Sequence, residues 1–344
     1  MGAPPKNGLV LINLGSPKSP SQTHVRAYLR EFLSDPGVLD MSHWERWLLL
    51  NLFVLPFRPK KSARAYASIW TEKGSPLLCH SLELAHKVQT RMGDLATIEL
   101  AMNYGMPSID ETLSRLSQRG VKQIVVFPLF PQQSQTTTDS ALAKVFAARS
   151  KLEKDVLVRV IPAFFDHPEF IGALAKTAQP ILNTDNFEQI LFSFHGLPEQ
   201  YLRKADKTKQ HCLQHSDCCE NIFQTNKNCY RAQCFATARL VADKLKIPPD
   251  KRIVCFQSRM GPARWIKPYL NEVIDKLAQQ GVKKIAVITP SFVADCLETL
   301  EELGLRAVHR FRAQGGEKLT LVPCLNSDDF WADAVVNIAK SYLG

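Results

Sequence analysis

Six short apolar runs recur along the chain, and a helix-like stretch follows each of them. Runs of this length with little polar alternation are typical of strands that are buried on both faces. Strands that alternate with helices predict an α/β fold with mostly parallel sheets. The predicted strands cover residues 8–14, 124–129, 156–161, 190–194, 253–256 and 285–288.

The second half of this pattern repeats the first. A Gly-Val-Lys-Gln-Ile segment at residues 120–124 and a Gly-Val-Lys-Lys-Ile segment at residues 281–285 each lead from a helix into a strand. These strands are expected to end near Pro128 and Pro290. The repeat predicts two similar α/β halves, with the crossover near residue 165. Ligands of open α/β sheets bind beyond the carboxyl ends of the strands, so polar residues there are candidate site residues.

Composition narrows the class of protein. A chain of 344 residues with 45% hydrophobic residues is expected to form two soluble domains. The 43 Lys and Arg against 33 Asp and Glu give a net charge of +10, which suits an anionic partner. We find no arginine-rich tail, RNA-binding aromatic motif or finger spacing, so nucleic acid is not the expected partner. We also find no targeting signal and expect a cytoplasmic location.

One segment is unusually apolar. Residues 44–57 contain two Trp, two Phe and five Leu, and Arg58, Lys60, Lys61 and Arg64 follow. The stretch is too short to span a bilayer, but aromatic residues beside basic ones are typical of an interfacial anchor on anionic lipid. The alternative is an ordinary buried helix. We predict peripheral contact with the cytoplasmic face of the membrane.

Two groups of ionisable residues follow predicted strands. His195 ends a strand, where a histidine can act as a base or a metal ligand, or can simply cap the strand by hydrogen bonding. Glu298 and Glu302 follow another strand and are four residues apart, so their carboxylates share one face of a helix. Such a pair can accept protons or hold a hard cation. A solvated helix face is the alternative, and we prefer it for Glu301.

Five motifs, in order, resemble those of ferrochelatases. They span nearly the whole chain: GLVLINLGSP at residues 8–17, GSPL at 74–77, SFHGLP at 193–198, FQSR with WIKPY at 256–269, and FVADCLETL at 292–300. The resemblance implies a pair of Rossmann-like domains with a porphyrin cleft between them. It places the first domain at residues 1–165, with an apolar lip at about 41–64, and the second at 166–325, with an insertion at about 204–234. A last helix, at 326–344, is expected to pack back on the first domain.

The resemblance also implies the activity and its residues. Ferrochelatases insert ferrous iron into protoporphyrin IX or coproporphyrin, and a bent macrocycle would expose its nitrogen lone pairs to the metal. His195 and Glu298 match the family's two central residues, which face the macrocycle from opposite sides and contact the Fe²⁺ substrate. Asn103 and Gln133 depart from the basic and aromatic residues expected at the porphyrin edge. The positions matching the family's substrate-binding residues are Asn13, Tyr104, Ser134, Trp265 and Glu302.

Five of the nine cysteines lie within 23 residues, in the insertion. Structural disulfides are rare in a reducing compartment, so the cluster is expected to bind a metal. Four thiolates from one loop suit a [2Fe–2S] cluster, which some ferrochelatases carry, with a zinc site as the main rival and free thiols as the third possibility. One of the five is spare, either Cys234 or a member of the adjacent pair Cys218 and Cys219. The candidates are Cys212, Cys218, Cys219, Cys229 and Cys234.

Two other functions share some of these features. A cobalt or nickel chelatase of a sirohydrochlorin-type ring would also use a histidine and an acid, but its carboxylate-rich substrate would favour several basic residues at the site. A non-catalytic haem or iron–sulfur redox sensor would not need an intact His195 and Glu298. The sequence gives no indication of the oligomeric state.

Overall fold

A computed structural model describes residues 7–215 and 217–343. Within them strands and helices alternate, which confirms the predicted α/β class. The strands are β1 (Asn7–Asn13), β2 (Thr97–Met102), β3 (Gln123–Pro128), β4 (Leu157–Val160), β5 (Gln189–His195), β6 (Arg252–Gln257), β7 (Lys284–Ile288) and β8 (Lys318–Leu321). The α-helices are α1 (Gln22–Ser34), α2 (His43–Leu48), α3 (Arg58–Ala67), α4 (Pro76–Met92), α5 (Ile109–Gln118), α6 (Ser140–Arg149), α7 (Pro168–Leu182), α8 (Glu199–Ala205), α9 (Tyr230–Lys244), α10 (Leu270–Gln279), α11 (Val308–Ala313) and α12 (Asp329–Leu343). Three segments are π-helical: Leu49–Val54, Gln135–Asp139 and Leu297–Ala307.

One compact unit comprises residues 7–130, 135–163 and 326–343 of the described chain. Its four strands are parallel, in the order β2-β1-β3-β4. The inner strand β1 is apolar from Leu9 to Ile12 because both its faces are covered there, and these four residues are fully buried. The last helix, α12, packs against α4 and β3, where Arg91 of α4 pairs with Asp333 at 2.6 Å. The chain therefore returns to the first sheet at its end.

The other unit comprises residues 131–134 and 164–325. Its sheet repeats the same parallel arrangement, in the order β6-β5-β7-β8. In each unit a helix, α5 or α10, precedes a glycine at positive φ, Gly120 or Gly281, and a strand next to the central one follows. Glycine adopts this left-handed backbone without a steric penalty, which lets the helix end and the chain turn into the sheet. The repeat predicted from these two segments is therefore present in the fold.

The apolar segment lies on the surface of the first unit. It forms most of α2, the π-helical turn after it and the three residues before α3. Only its Leu50 and Leu55 are among the buried hydrophobic residues. The described chain contains no helix long and apolar enough to cross a membrane. Six large apolar side chains of the segment face solvent: Trp44, Trp47, Leu48, Leu52, Phe53 and Phe57.

Candidate active site

His195 is the last residue of β5, and its neighbours fix the imidazole. The ring lies between the aromatic rings of Trp265 and Phe292, with centroids 6.5 and 6.4 Å away. Its Nδ1 is 2.6 Å from the carbonyl oxygen of Gly196. A carbonyl oxygen can only accept a hydrogen bond, so Nδ1 carries the proton when the ring is neutral. The free lone pair is then on Nε2, as a base or a metal ligand requires.

The turn after His195 requires glycine. A Cβ on Gly196 would lie 2.8 Å from the carbonyl oxygen of Gln257 and 3.1 Å from the Trp265 ring, so a side chain would push these groups apart. The Trp265 indole is 6% exposed and donates from Nε1 to the Met260 carbonyl at 2.8 Å. In this arrangement Trp265 supports the imidazole of His195 from one side.

Glu298 lies in the first turn of the π-helix Leu297–Ala307, and its residue is half-buried. A carboxylate there interacts favourably with the partial positive charge of a helix N-terminus. The backbone carbonyl of Glu298 accepts a hydrogen bond from Nε2 of Gln257 at 2.8 Å. π-helical turns are rare in proteins. Those that occur are often found at functional sites, because the additional residue per turn changes where side chains point.

Glu302 is held by the loop after β6. Its two carboxylate oxygens accept from the backbone N–H of Ser258 at 2.9 Å and from its hydroxyl at 2.6 Å. Ser258 has a φ of +65°, which a residue other than glycine adopts only when its surroundings stabilise it. Glu301 instead pairs with Arg306, whose Nε is 2.8 Å from its Oε2. Glu301 is therefore engaged in an ion pair, whereas Glu302 is a fixed carboxylate one turn from Glu298.

Gln257 joins the two halves of this site and was not predicted as a site residue. It lies opposite His195 in the parallel pairing of β5 and β6. Its Oε1 accepts from the Ser193 hydroxyl at 2.6 Å, while its Nε2 reaches Glu298. Gln257 is 2% exposed, and its amide thus links the strand that ends in His195 to the first turn of the π-helix.

Replacing Gln257 by alanine is expected to loosen this link. The variant leaves the Ser193 hydroxyl and the Glu298 carbonyl without this partner. A buried unpaired group lowers the free energy of unfolding by about 1–3 kcal/mol. We expect a lower melting temperature and a fall in kcat of about tenfold, with a smaller change in KM for the porphyrin. Gln279→Ala, at the exposed end of α10, is the matched control. Equal kinetics for the two variants would show that Gln257 does not position the site.

Tyr230 is a second contact that the sequence did not indicate. Its hydroxyl donates to the backbone carbonyl of His195 at 2.8 Å and lies 3.1 Å from the Ser291 hydroxyl. Burial raises the pKa of Tyr230 well above its usual range, so it stays a neutral donor. Because Tyr230 follows Cys229 directly, the cysteine-rich loop ends at a residue that holds the strand of His195.

The other predicted substrate-binding residues are buried. Asn13, Tyr104, Ser134 and Trp265 are 0–6% exposed. Asn13 donates to the Ser81 hydroxyl at 3.0 Å, and the Tyr104 hydroxyl donates to Asp35 at 2.8 Å. The polar atoms of Asn13 and Tyr104 are thus used inside the first unit. Asn103, one of the two departures from the family pattern, donates to Ser140 at 3.1 Å in the same network.

Comparison with known proteins shows the family of the chain. A model of the ferrochelatase family matches residues 6–343. A ferrochelatase of Pseudomonas fluorescens is 46% identical over 335 residues, which are 97% of each chain. One of Coxiella burnetii is 45% identical over 98% of this chain and 94% of its own. The chain belongs to the ferrochelatase family. It is therefore an enzyme that inserts iron into a porphyrin, as the resemblance implied.

Solved structures confirm the fold class. The sirohydrochlorin chelatase SirB of Bacillus subtilis subspecies spizizenii, in complex with cobalt, superimposes with a TM-score of 0.55, at 11% identity over 97% of this chain and 94% of its own. SirB from Bacillus subtilis with Fe³⁺ gives a TM-score of 0.54 at 13% identity over 79% of this chain and 92% of its own. These likenesses show a shared chelatase fold. The alternative functions, a sirohydrochlorin-type chelatase or a redox sensor, are not favoured against the ferrochelatase match.

The cysteine-rich loop of this ferrochelatase brings four thiols together in two close pairs. Cys212 and Cys229 have their sulfurs 3.7 Å apart, and Cys218 and Cys219 are 3.6 Å apart. Cys219 also interacts with Cys229, which raises the pKa of the Cys219 thiol. Cys234 lies on α9 with the Tyr230 hydroxyl beside its thiol, and burial raises its pKa. None of the nine cysteines, all of which lie within the described residues, forms a disulfide.

Asp206 organises the first part of the loop. Its Oδ2 accepts from the backbone N–H groups of His211 and Cys212 at 2.9 and 2.8 Å, and its Oδ1 accepts from Thr208. These backbone hydrogen bonds hold the pKa of Asp206 well below its usual range despite the opposing desolvation. Cys212 is thereby placed against Cys229 without a regular helix or strand.

The distances within each thiol pair match those between two thiolates on one tetrahedral metal ion. Within the described residues, no group of three or more His, Cys, Asp or Glu side chains is placed to hold one metal ion. A tetrahedral zinc site needs four ligands around one point, whereas each iron of a [2Fe–2S] cluster takes two thiolates.

Proposed function

We propose that this chain inserts ferrous iron into protoporphyrin IX to form haem, with His195 and Glu298 as its catalytic residues. The observation that carries the proposal is the hydrogen bond between Nδ1 of His195 and the Gly196 carbonyl, 2.6 Å long. It leaves Nε2 free as an acceptor on an imidazole held between two aromatic rings. A ring fixed in this tautomer can take a proton without first reorganising.

Metal insertion must remove two pyrrole N–H protons and bring a desolvated iron to four nitrogens. Nε2 of His195 would accept a pyrrole proton. The carboxylates of Glu298 and Glu302 would attract Fe²⁺ and replace part of its water shell, since hard cations prefer oxygen ligands. Glu302, which Ser258 already holds, would pass iron to the less restrained Glu298. In this proposal His195 accepts the proton, and Glu298 and Glu302 bind the iron.

The four buried residues are proposed to shape the porphyrin site by packing. Each of Asn13, Tyr104, Ser134 and Trp265 would stiffen the surface of its own unit that the macrocycle contacts, with Trp265 acting through His195. A bent ring would be bound more tightly than a flat one, which favours the geometry of metallation. Their burial supports this role over direct hydrogen bonding to the substrate.

The choice of porphyrin is tested by comparing kcat/KM for protoporphyrin IX and coproporphyrin under anaerobic conditions. The exposed apolar segment of the first unit supports the more apolar protoporphyrin. We expect a higher kcat/KM with protoporphyrin IX. A preference for coproporphyrin would reverse the substrate assignment and leave the iron-insertion activity unchanged.

The cysteine-rich loop is proposed to hold a [2Fe–2S] cluster through Cys212, Cys218, Cys219 and Cys229, with Cys234 as the spare. The two close thiol pairs support these four cysteines as the ligand set. The cluster would supply metal–thiolate crosslinks that stabilise an irregular loop, and no electron transfer is needed for metal insertion. The ordered loop would also hold His195 in place, because Tyr230 begins the helix after Cys229 and its hydroxyl donates to the His195 carbonyl.

Replacing Cys212 or Cys229 by serine is therefore expected to bleach the visible absorption of freshly purified, haem-free protein. Wild-type protein should contain iron and acid-labile sulfide in equal amounts. Cys234→Ser and Cys255→Ser are the controls, and both should keep the absorption. Colourless protein that contains zinc would replace the cluster by a zinc site, and colourless, metal-free, active protein would exclude both.

A peripheral location on the cytoplasmic face of the membrane is also proposed. The exposed fractions of Trp44, Phe53 and Phe57, 66–73%, support it over the buried-helix alternative. Aromatic side chains beside basic residues partition into the interface between headgroups and acyl chains. Wild-type protein is expected to float with anionic vesicles at low salt, and protein that stays at the bottom of the gradient would contradict this location.

A further inference from the structure

A cavity of about 370 Å³ opens beside the exposed apolar segment of the first unit. Its lining comes from α1, α2 and the π-helical turn, and ends at Leu55. The floor is apolar, since Leu50 and Leu55 are 3% and 0% exposed. The polar wall consists of Arg30, Ser34, His43, Arg46 and Asn51. The volume is at the lower end of the range for small-molecule sites and suits a group the size of a lipid headgroup.

The wall carries positive charge without a balancing acid. Arg30 and Arg46 line the cavity, and no Asp or Glu does. The Arg30 side chain has no ion pair or hydrogen bond among the described residues. Arg46 donates from one terminal nitrogen to the carbonyls of Leu39 and Met41, at 3.1 and 3.2 Å, which fixes the guanidinium in place. The nearest acid on α2, Glu45, is engaged with Ser42 at the start of that helix.

From this juxtaposition we infer that the cavity is a binding site for the phosphate of an anionic phospholipid. Arginine recognises phosphate through several charge-assisted hydrogen bonds, and His43 can add another donor. Trp47 lines the cavity and is 47% exposed, so it borders both the polar wall and the apolar surface. A lipid would place its phosphate against Arg30 and its acyl chains along Trp47, Leu48 and Leu52.

The apolar rim favours a lipid over a free anion as the occupant. A soluble phosphate would contact the arginines but would leave the neighbouring apolar side chains exposed to water. A membrane lipid satisfies both surfaces at once. The inference rests on the proposed membrane contact and deepens it, because it replaces a diffuse basic surface by one site with a defined headgroup contact.

The test compares two single-charge variants in vesicle flotation at physiological salt. R30Q removes the unpaired cavity arginine, and K60Q removes an exposed lysine of α3 outside the cavity. The probe is phosphatidylcholine vesicles with and without phosphatidylglycerol. We expect R30Q to lose about tenfold or more of its affinity for the phosphatidylglycerol vesicles, the size of one charge-assisted contact. K60Q should lose no more than a few-fold, because salt screens exposed charges.

Equal losses for R30Q and K60Q would overturn the site and leave only diffuse attraction. A second arm titrates inorganic phosphate and short-chain phosphatidylglycerol while following tryptophan fluorescence. Inorganic phosphate that binds as tightly as the lipid, in an Arg30-dependent way, would overturn the lipid assignment. Wild-type protein that does not float would overturn the site together with membrane contact. Haem synthesis in vesicle-free buffer, which R30Q should not alter, reports on the ferrochelatase activity separately.

Discussion

Replacing His195 by alanine is expected to lower the rate of haem formation about 100-fold or more, the usual effect of losing a positioned general base. The substitution removes Nε2, the acceptor that the Gly196 carbonyl leaves free. It keeps the backbone carbonyl that receives the Tyr230 hydroxyl, so the strand end should keep its place. The measurement is anaerobic steady-state haem formation, with circular dichroism to establish that the variant is folded.

His309→Ala is the matched control for this variant. His309 is an exposed histidine of α11 and lies outside the site. It should retain wild-type activity. A His195→Ala protein that is folded and keeps more than a few per cent of wild-type turnover would show that the imidazole is not the proton acceptor.

Glu298→Gln is expected to reduce kcat by about 100-fold and to raise the KM for ferrous iron. Glutamine has nearly the same shape as glutamate but carries no charge, so the variant loses its attraction for iron. The backbone carbonyl that accepts from Gln257 is unchanged, so the first turn of the π-helix should stay in place. A loss of activity would then come from the missing carboxylate charge and not from a change in the fold.

Glu301→Gln provides the comparison within the same helix. Glu301 pairs with Arg306, whose side chain is 63% exposed, and ion pairs with a solvent-exposed partner contribute about 0–1 kcal/mol to stability. We expect wild-type kinetics from it. If Glu301→Gln and Glu298→Gln had the same effect, general negative charge on the π-helix, and not a specific iron contact, would be responsible.

The sequence predicted six of the eight strands of the described chain, including the edge strands β4 and β6, and missed the edge strands β2 and β8. β1, β3, β5 and β7 are continuous apolar runs because helices cover both sides of them. β2 carries Glu99 in its middle, where it pairs with Arg115 and Arg119, so it does not look like a buried strand. β8 has only four residues, and its first residue, Lys318, is exposed. Edge strands have one free side and tolerate such residues.

The candidate site residues follow from the sequence, but the contacts that support them do not. His195 and Glu298 stand out because ionisable residues follow apolar strands. Gln257 and Tyr230 act through contacts between residues 35–41 positions apart, which only the folded chain brings together. The same holds for the cysteines. Spacing left five candidates, whereas the fold puts four thiols in two pairs.

The most direct test of the central claim is anaerobic mixing of the purified enzyme with ferrous iron and protoporphyrin IX, with haem followed by absorbance and proton release by an indicator dye. The account predicts catalysed haem formation with two protons released per haem, and near-background rates for His195→Ala and Glu298→Gln. Wild-type enzyme that forms no haem, yet loads cobalt or nickel into sirohydrochlorin, would contradict it.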